Sequence, residues 1–224
     1  DHAYKVLVVL PDYHGEVWDG PERIHRFKVI IGSHRRRRGK RVNATPEISS
    51  QIITIVFNPY WNVPKRILHE ELLPMAQRKS DESEEGLTPE EVLEKKGYQF
   101  RRKHPTRPIV RMKPGPSNAL GKVKFIFENR HFVFLHDTPS KRKFRRLRRA
   151  MSHGCIRVHK PLTLAELLLK RDGTWEIAEK KRVMKHYRET PITLKTPIPI
   201  ILAYFTARVD EKGMVHWLGD IYGK

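Results

Sequence analysis

Alternating apolar and polar positions mark strands at both ends and in the middle of the chain. Tyr4 to Leu10 and Phe27 to Ile31 are β-branched and apolar enough for strands, joined by a turn-rich link of Pro11, Asp12, Gly15, Asp19, Gly20 and Pro21. Ile52 to Phe57 reads as another strand. Val123 to Phe127 alternates, Asn129-Arg130 makes a turn, and His131 to Leu135 resumes the apolar pattern, which predicts a β-hairpin ending at His136. Ile198 to Val209 and Met214 to Leu218 predict a closing strand pair around Asp210-Glu211-Lys212-Gly213.

Helical spacing occupies the gaps. Pro64 suits a first helical turn, and Ile67, Leu68, Glu71 and Leu72 follow at helical intervals until Pro74, where the helix is expected to stop. Polar, acidic residues then run to Gly86, and Thr88-Pro89-Glu90-Glu91 offers a capping box for a helix through Lys96. Residues 74 to about 110 therefore read as an inserted helical flap. Pro161 to Lys170 and Trp175 to Arg188 carry two further helical patterns, the second with Thr174 as its N-cap. The whole chain, residues 1–224, reads as one mainly β domain with helices (α+β).

Composition narrows the class of molecule. With 38% hydrophobic and 31% charged residues, the chain suits a packed domain with a highly charged surface. No apolar run reaches the ~20 residues of a spanning helix, and Asp1 to Leu10 lacks a signal-peptide pattern, so the chain is expected to begin within a longer precursor. The formal charge of +20 draws polyanions without saying which. Arg35 to Arg38, with Gly39, Lys40 and Arg41, has no apolar face and reads as an exposed loop.

A single cysteine excludes an internal disulfide, so its neighbours decide its use. Ser152-His153-Gly154-Cys155-Ile156-Arg157 sets the thiol after a glycine and beside cationic side chains that favour thiolate. An inert core cysteine is the competing reading of this local sequence. His136, at a predicted strand end before Asp137-Thr138-Pro139, supplies the base that a cysteine nucleophile requires, where a lone surface histidine is the plain alternative.

These residues resemble the catalytic domain of the L,D-transpeptidases, whose signature is a His followed after a spacer by Ser/Thr-His-Gly-Cys and an Arg or Asn two residues on. Leu135 to Pro139, Pro114-Gly115-Pro116-Ser117-Asn118-Ala119-Leu120-Gly121 and Asn58-Pro59-Tyr60-Trp61-Asn62-Val63-Pro64 are similar to the large Gram-negative periplasmic branch in particular. The resemblance covers nearly the whole chain. It implies a β-sandwich-like fold with a flap over the site, a periplasmic location, and an enzyme that carbapenem β-lactams target. It also implies that Cys155 attacks the carbonyl of the third stem-peptide residue of peptidoglycan and expels D-alanine, with His136 as base and acid. The acyl group then passes to a diaminopimelate amine, giving a 3-3 cross-link, or to water or a wall-attached protein. Asp137 matches the position whose carbonyl orients His136, and main-chain N–H groups around Gly154 and Cys155 match the oxyanion hole. Arg157 is expected to hold a substrate carboxylate or stabilise thiolate, Ser152 and His153 to shape the nucleophile turn, and Trp61 to line the substrate groove. Phe134 stands where some relatives carry tyrosine, which removes a hydroxyl role there.

Two other classes compete. Cys155, His153, His159 and His136 lack metal-ligand spacing, so neither metal nor cofactor is expected. Lys141-Arg142-Lys143 and Arg145-Arg146-Leu147-Arg148-Arg149 form a basic stretch, but no nucleic-acid-binding signature accompanies it. Its place between His136 and Cys155 points to anionic cell-wall peptides and polymer instead, with a merely solvated loop as the plain alternative. Oligomeric state is not readable from the chain.

Overall fold

The computed structural model describes residues 4–37, 39–101, 109–175, 182–210 and 212–224. The first half holds strands β1 (Lys5–Val9), β2 (His14–Asp19), β3 (Glu22–Gly32), β4 (Arg36–Arg37), β5 (Lys40–Arg41), β6 (Ile48–Phe57), β7 (Trp61–Asn62), β8 (Tyr98–Arg101) and β9 (Ile109–Met112). The second half adds β10 (Val123–Phe127), β11 (Leu135–His136), β12 (Ala150–Ser152), β13 (Ile156–Val158), β14 (Thr190–Ala203), β15 (Ala207–Val209) and β16 (Val215–Trp217). Helices are α1 (Lys65–Ile67), α2 (Leu73–Asp81), α3 (Pro89–Lys95) and α4 (Pro161–Arg171), with a π-helical turn at Leu68–Leu72 and a 3-10 turn at Lys141–Arg145.

Nine strands join one sheet in the order β12-β3-β13-β11-β10-β6-β14-β1-β2, and β2 also pairs with β3, which brings the two ends of the order together. The sheet therefore wraps round one apolar core, its halves facing each other like the layers of a sandwich. Alternation selects the inward residues: β1 buries Val6 and Val8, and β10 buries Val123, Phe125 and Phe127. Helix α4 closes the core with Leu164, Ala165, Leu168 and Leu169, the i, i+1, i+4, i+5 stripe of one helix face. Burying each large side chain contributes about 1.5–3 kcal/mol. The mainly β class with helices read from alternation is the architecture observed.

Several local expectations give way to tertiary context. The link at His14 to Asp19 is a strand, β2, because pairing with both β1 and β3 satisfies its backbone despite turn-forming residues. The basic loop contains a minimal ladder between β4 and β5. Pro74 does not end its helix. The turn before it widens to π geometry, with the Leu73 N–H donating to the Leu68 carbonyl, and α2 continues to Asp81. Only Leu135–His136 of the expected second hairpin strand pairs with β10. Residues before it loop around Asn129, whose Nδ2 donates to the Phe127 and Val133 carbonyls at 3.0 and 2.8 Å, while its Oδ1 accepts from the His131 and Val133 N–H groups at 3.1 and 3.0 Å.

Of the predicted helix Trp175 to Arg188, residues 182–185 are helical, and 176–181 lie outside the described residues. The residues that Thr174 would cap lie in that same segment, outside the described residues. The strand expected from Ile198 to Val209 begins at Thr190 and is broken after Ala203, leaving β15 and β16 as the closing pair.

The insertion is larger than its helices. Its strands β7, β9 and β8 form a separate three-stranded sheet, and a second small core gathers Ala76, Val92 and Leu93 with Leu72, Leu73, Met75, Leu87, Tyr98 and Phe100 around it. Part of the expected flap, 102–108, lies outside the described residues. The capping box forms as its residues demand: Thr88 accepts from the Glu91 N–H and Glu91 accepts from the Thr88 N–H.

Candidate active site

The nucleophile turn is built over the end of β3. Strand β12 runs parallel to β3 at Ile31 and Gly32, and β13 returns antiparallel to Ile30 and Val29, so His153, Gly154 and Cys155 cross the tip of β3 between them. This crossing requires two glycines. A Cβ on Gly32 would meet the Asn43 carbonyl at 1.9 Å, and Gly154 holds φ +122, a conformation that side chains oppose.

The turn is then pinned from several sides. Ser152 Oγ donates to the Cys155 carbonyl at 2.6 Å and accepts the Gly154 N–H at 3.1 Å. Thr45, only 1% exposed, donates its hydroxyl to the Gly154 carbonyl at 2.7 Å and accepts the Gly32 N–H at 2.8 Å. Tyr222 completes the brace: its hydroxyl donates to the Gly32 carbonyl at 2.7 Å and accepts the Thr45 N–H at 3.1 Å. Fixing the Gly154 carbonyl fixes the plane of the Gly154–Cys155 peptide, and with it the direction of the Cys155 N–H. Since Gly154 gives its own N–H to Ser152, the Cys155 N–H is the main-chain donor of this pair left for a ligand.

Strand register brings the histidine alongside. β11 runs parallel to β13 with His136 opposite Arg157 and Leu135 opposite Ile156. Side chains of one face therefore include Cys155 and Arg157 from one strand and Phe134 and His136 from its neighbour. Phe134 packs against His136 with ring centroids 5.5 Å apart, and Cys155 Sγ donates to the Phe132 carbonyl at 3.8 Å. Phe132 itself, at φ +53, projects its ring outward with 86% exposure.

His136 is 5% exposed, and its Nδ1 is hydrogen-bonded to the Asp137 carbonyl. Nδ1 is thereby the donor and Nε2 the free lone pair. The Asp137 carboxylate is occupied elsewhere. It accepts from the Thr138 N–H at 2.7 Å, the Lys122 N–H at 2.9 Å and the Lys141 ammonium. Gly121 makes room for it, since a Cβ there would meet Asp137 Oδ2 at 2.4 Å. Asn118 ties this segment down by donating to the Pro59 and Lys113 carbonyls at 3.0 and 2.9 Å, and Asn58 donates to the Val183 carbonyl at 2.9 Å. Both motifs singled out upstream are thus clamps behind the histidine.

Electrostatics set the resting protonation. Burial, seconded by the charge of Arg157, lowers the His136 pKa to about 3, against the smaller opposing effect of the Asp137 carbonyl. Burial raises the Cys155 pKa, and the nearby Phe134 backbone and Arg157 only partly counter it. Burial thus works against the thiolate that the cationic neighbours alone would favour. Desolvation is the larger effect. Arg157 Nε is buried with no hydrogen-bond partner among the described residues.

Remaining residues separate into near and far. His153 bonds Glu71 of the π turn at 2.5 Å, joining the insertion to the nucleophile turn. Trp61 sits on β7 with its ring 6.3 Å from that of Tyr98. His159 meets the Phe144 ring at a tilt of 53°, and among the described residues no group of three His, Cys, Asp or Glu is arranged to hold a metal. In the basic stretch Arg149 is structural, donating to the Val29, Arg146 and Tyr13 carbonyls, whereas Lys141 and Lys143 lie close enough to affect His136 and Arg157 respectively. Thr45 and Tyr222 escaped sequence reading because they act across the chain and belong to no local motif.

Known proteins are similar to this chain in sequence. The profile of the YkuD family, described as the L,D-transpeptidase catalytic domain, matches residues 3–200. A Haemophilus influenzae protein, named provisionally as an L,D-transpeptidase, is 33% identical over 97% of this chain and 44% of its own length. The chain thus spans less than half of that relative. A solved structure described as an Ldtfm-avibactam carbamoyl enzyme is 10% identical over 89% of this chain and 48% of its own, with a TM-score of 0.43, too low to carry an argument. With a site whose cysteine and histidine stand on neighbouring strands and a family match over most of its length, the chain belongs to the L,D-transpeptidase catalytic-domain family, a class of enzymes.

Proposed function

We propose that this domain is a peptidoglycan L,D-transpeptidase that makes 3-3 cross-links in the periplasmic wall, with Cys155 as nucleophile. The observation that carries the reading is the β11–β13 register, which sets His136 and Cys155 on one face while the Asp137 carbonyl holds the Nδ1 proton. The Cys155 thiol passes its proton to His136 Nε2 as sulfur attacks the carbonyl of the third stem residue. Negative charge on that oxygen is met by the Cys155 N–H, aimed by the Thr45 brace; one such donor is worth about 3 kcal/mol in related chemistry. Collapse of the intermediate breaks the peptide bond, and His136 returns the proton to the departing D-alanine amine. A diaminopimelate amine then attacks the thioester, gives its proton to His136, and releases Cys155 as the thiol.

Arg157, half-buried and with its Nε unpartnered among the described residues, takes a substrate carboxylate in this reading. Lys143 and the exposed arginines beside it give the site mouth a positive field suited to carboxylate-rich wall polymer. Incubation with disaccharide-tetrapeptide should yield D-alanine and a joined dimer; tripeptide alone would redirect the reading to a carboxypeptidase.

A further inference from the structure

Register places Arg157, His136 and Lys124 in one row across β13, β11 and β10. Directly paired residues project to the same face, so Lys124 stands on the face that carries Cys155, one strand beyond the imidazole. Two strand spacings, about 10 Å, separate it from the Cys155 strand. At ~3.3 Å per residue, an extended peptide covers that distance with about three residues.

Lys124 is a wall shared by two hollows. On one side an apolar groove of about 420 Å³ runs past Ile126, Phe132 and Phe134. On the other, a cavity of about 320 Å³ opens toward the insertion, with Arg101, Arg111 and Glu189 in its lining. Arg111 is held ready: its Nε donates to Gln99 Oε1 at 3.1 Å and its guanidinium lies 4.1 Å over the Tyr60 ring. Glu189 is the single acid of the lining, and its Oε1 already accepts the Tyr60 N–H at 2.8 Å. No carboxylate among the described residues lies within ion-pairing distance of the Lys124 ammonium, whose pKa burial lowers and the more distant Glu189 opposes. Three cations against one partly engaged acid leave this cavity short of negative charge.

We infer that Lys124, with Arg111 and Arg101, forms a carboxylate subsite for the donor peptide. It reads a carboxylate set about three residues' length from the attacked carbonyl, while the apolar groove holds the stretch between. The inference rests on the Cys155 chemistry proposed above, and binding separates the two.

The test uses the Cys155→Ala protein, which binds without turnover, and two disaccharide-tetrapeptides. One carries free stem carboxylates, and the other has them amidated apart from terminal D-alanine, so that Arg157 meets the same group in both. Calorimetry should find the free peptide bound at least tenfold more tightly. Adding Lys124→Met or Arg111→Gln should shrink that preference to about threefold or less by weakening only the free peptide, and Lys124→Arg should keep it. Equal affinities for the two peptides, or an undiminished preference in folded Lys124→Met or in Arg111→Gln, would overturn the subsite. A carboxylate preference in a protein whose parent form makes no product would instead sink the acyl-transfer reading and leave the subsite standing.

Discussion

The nucleophile turn and the inserted segment 61–112 are stabilised in opposite ways. Around Cys155, hydrogen bonds from Ser152, Thr45 and Tyr222 converge on a few peptides, and Gly32 sits where no side chain fits. The insertion instead gathers a small apolar core around Ala76, Val92 and Leu93, and meets the turn through the His153–Glu71 pair. The proposed chemistry, which depends on the aim of one N–H, would be set on over-determined backbone, whereas the insertion is lightly anchored. Opening the insertion should therefore cost far less than moving the turn.

Substitutions should widen or erase that contrast. The largest effect is expected at His136: His136→Gln should lower kcat by about 10²–10⁴-fold by removing the proton carrier. It should also change stability against pH. The folded His136 pKa, about 3, lies below its unfolded value, so the unfolded chain takes up a proton first as pH falls. Stability from this group is intact above about pH 6.5 and declines toward pH 3, and chemical denaturation of His136→Gln across that range should lack this slope.

Leu93→Ala comes next and acts on the insertion alone. Emptying the middle of its core should cost about 2–5 kcal/mol locally, read as faster amide exchange in α2 and α3 with β10 and β13 unaffected. Uniform loss of protection through the main sheet would show that the two regions are one cooperative unit. Thr45→Val should lower acylation about 10–100-fold through kcat, since it frees the Gly154 carbonyl, while Thr45→Ser keeps the donor and most of the rate. Alkylation of Cys155 by iodoacetamide, which develops no oxyanion, should stay within about twofold in both variants; a parallel drop would mean that Thr45 merely holds up the fold. The smallest change is Glu71→Gln. Its pair with His153 is solvent-accessible, so stability should move by less than about 1 kcal/mol in thermal melts.

Legibility in the sequence follows the same divide between local and long-range causes. Cys155 and His136 stood out because a glycine, a histidine and an arginine surround the only thiol, and β10 and α3 because alternation and a capping box are local patterns. The brace was not legible: Thr45 meets Gly154 across 109 positions, and Tyr222 meets Thr45 across 177. Nor was the effect of burial on the two pKa values, because adjacent cations are visible in a sequence and desolvation is not. The second hairpin strand failed for a local reason of another kind, since Asn129 satisfies four backbone groups that a ladder would otherwise take.

The central claim, that Cys155 carries an acyl group between two wall peptides, is tested most directly by mass spectrometry of the parent and Cys155→Ala proteins with purified disaccharide-tetrapeptide. The account predicts released D-alanine, a covalent dimer and a Cys155 thioester trapped at low acceptor concentration, all absent from the variant. Dimer formation that survives in Cys155→Ala, or a parent that leaves the peptide untouched, would contradict it.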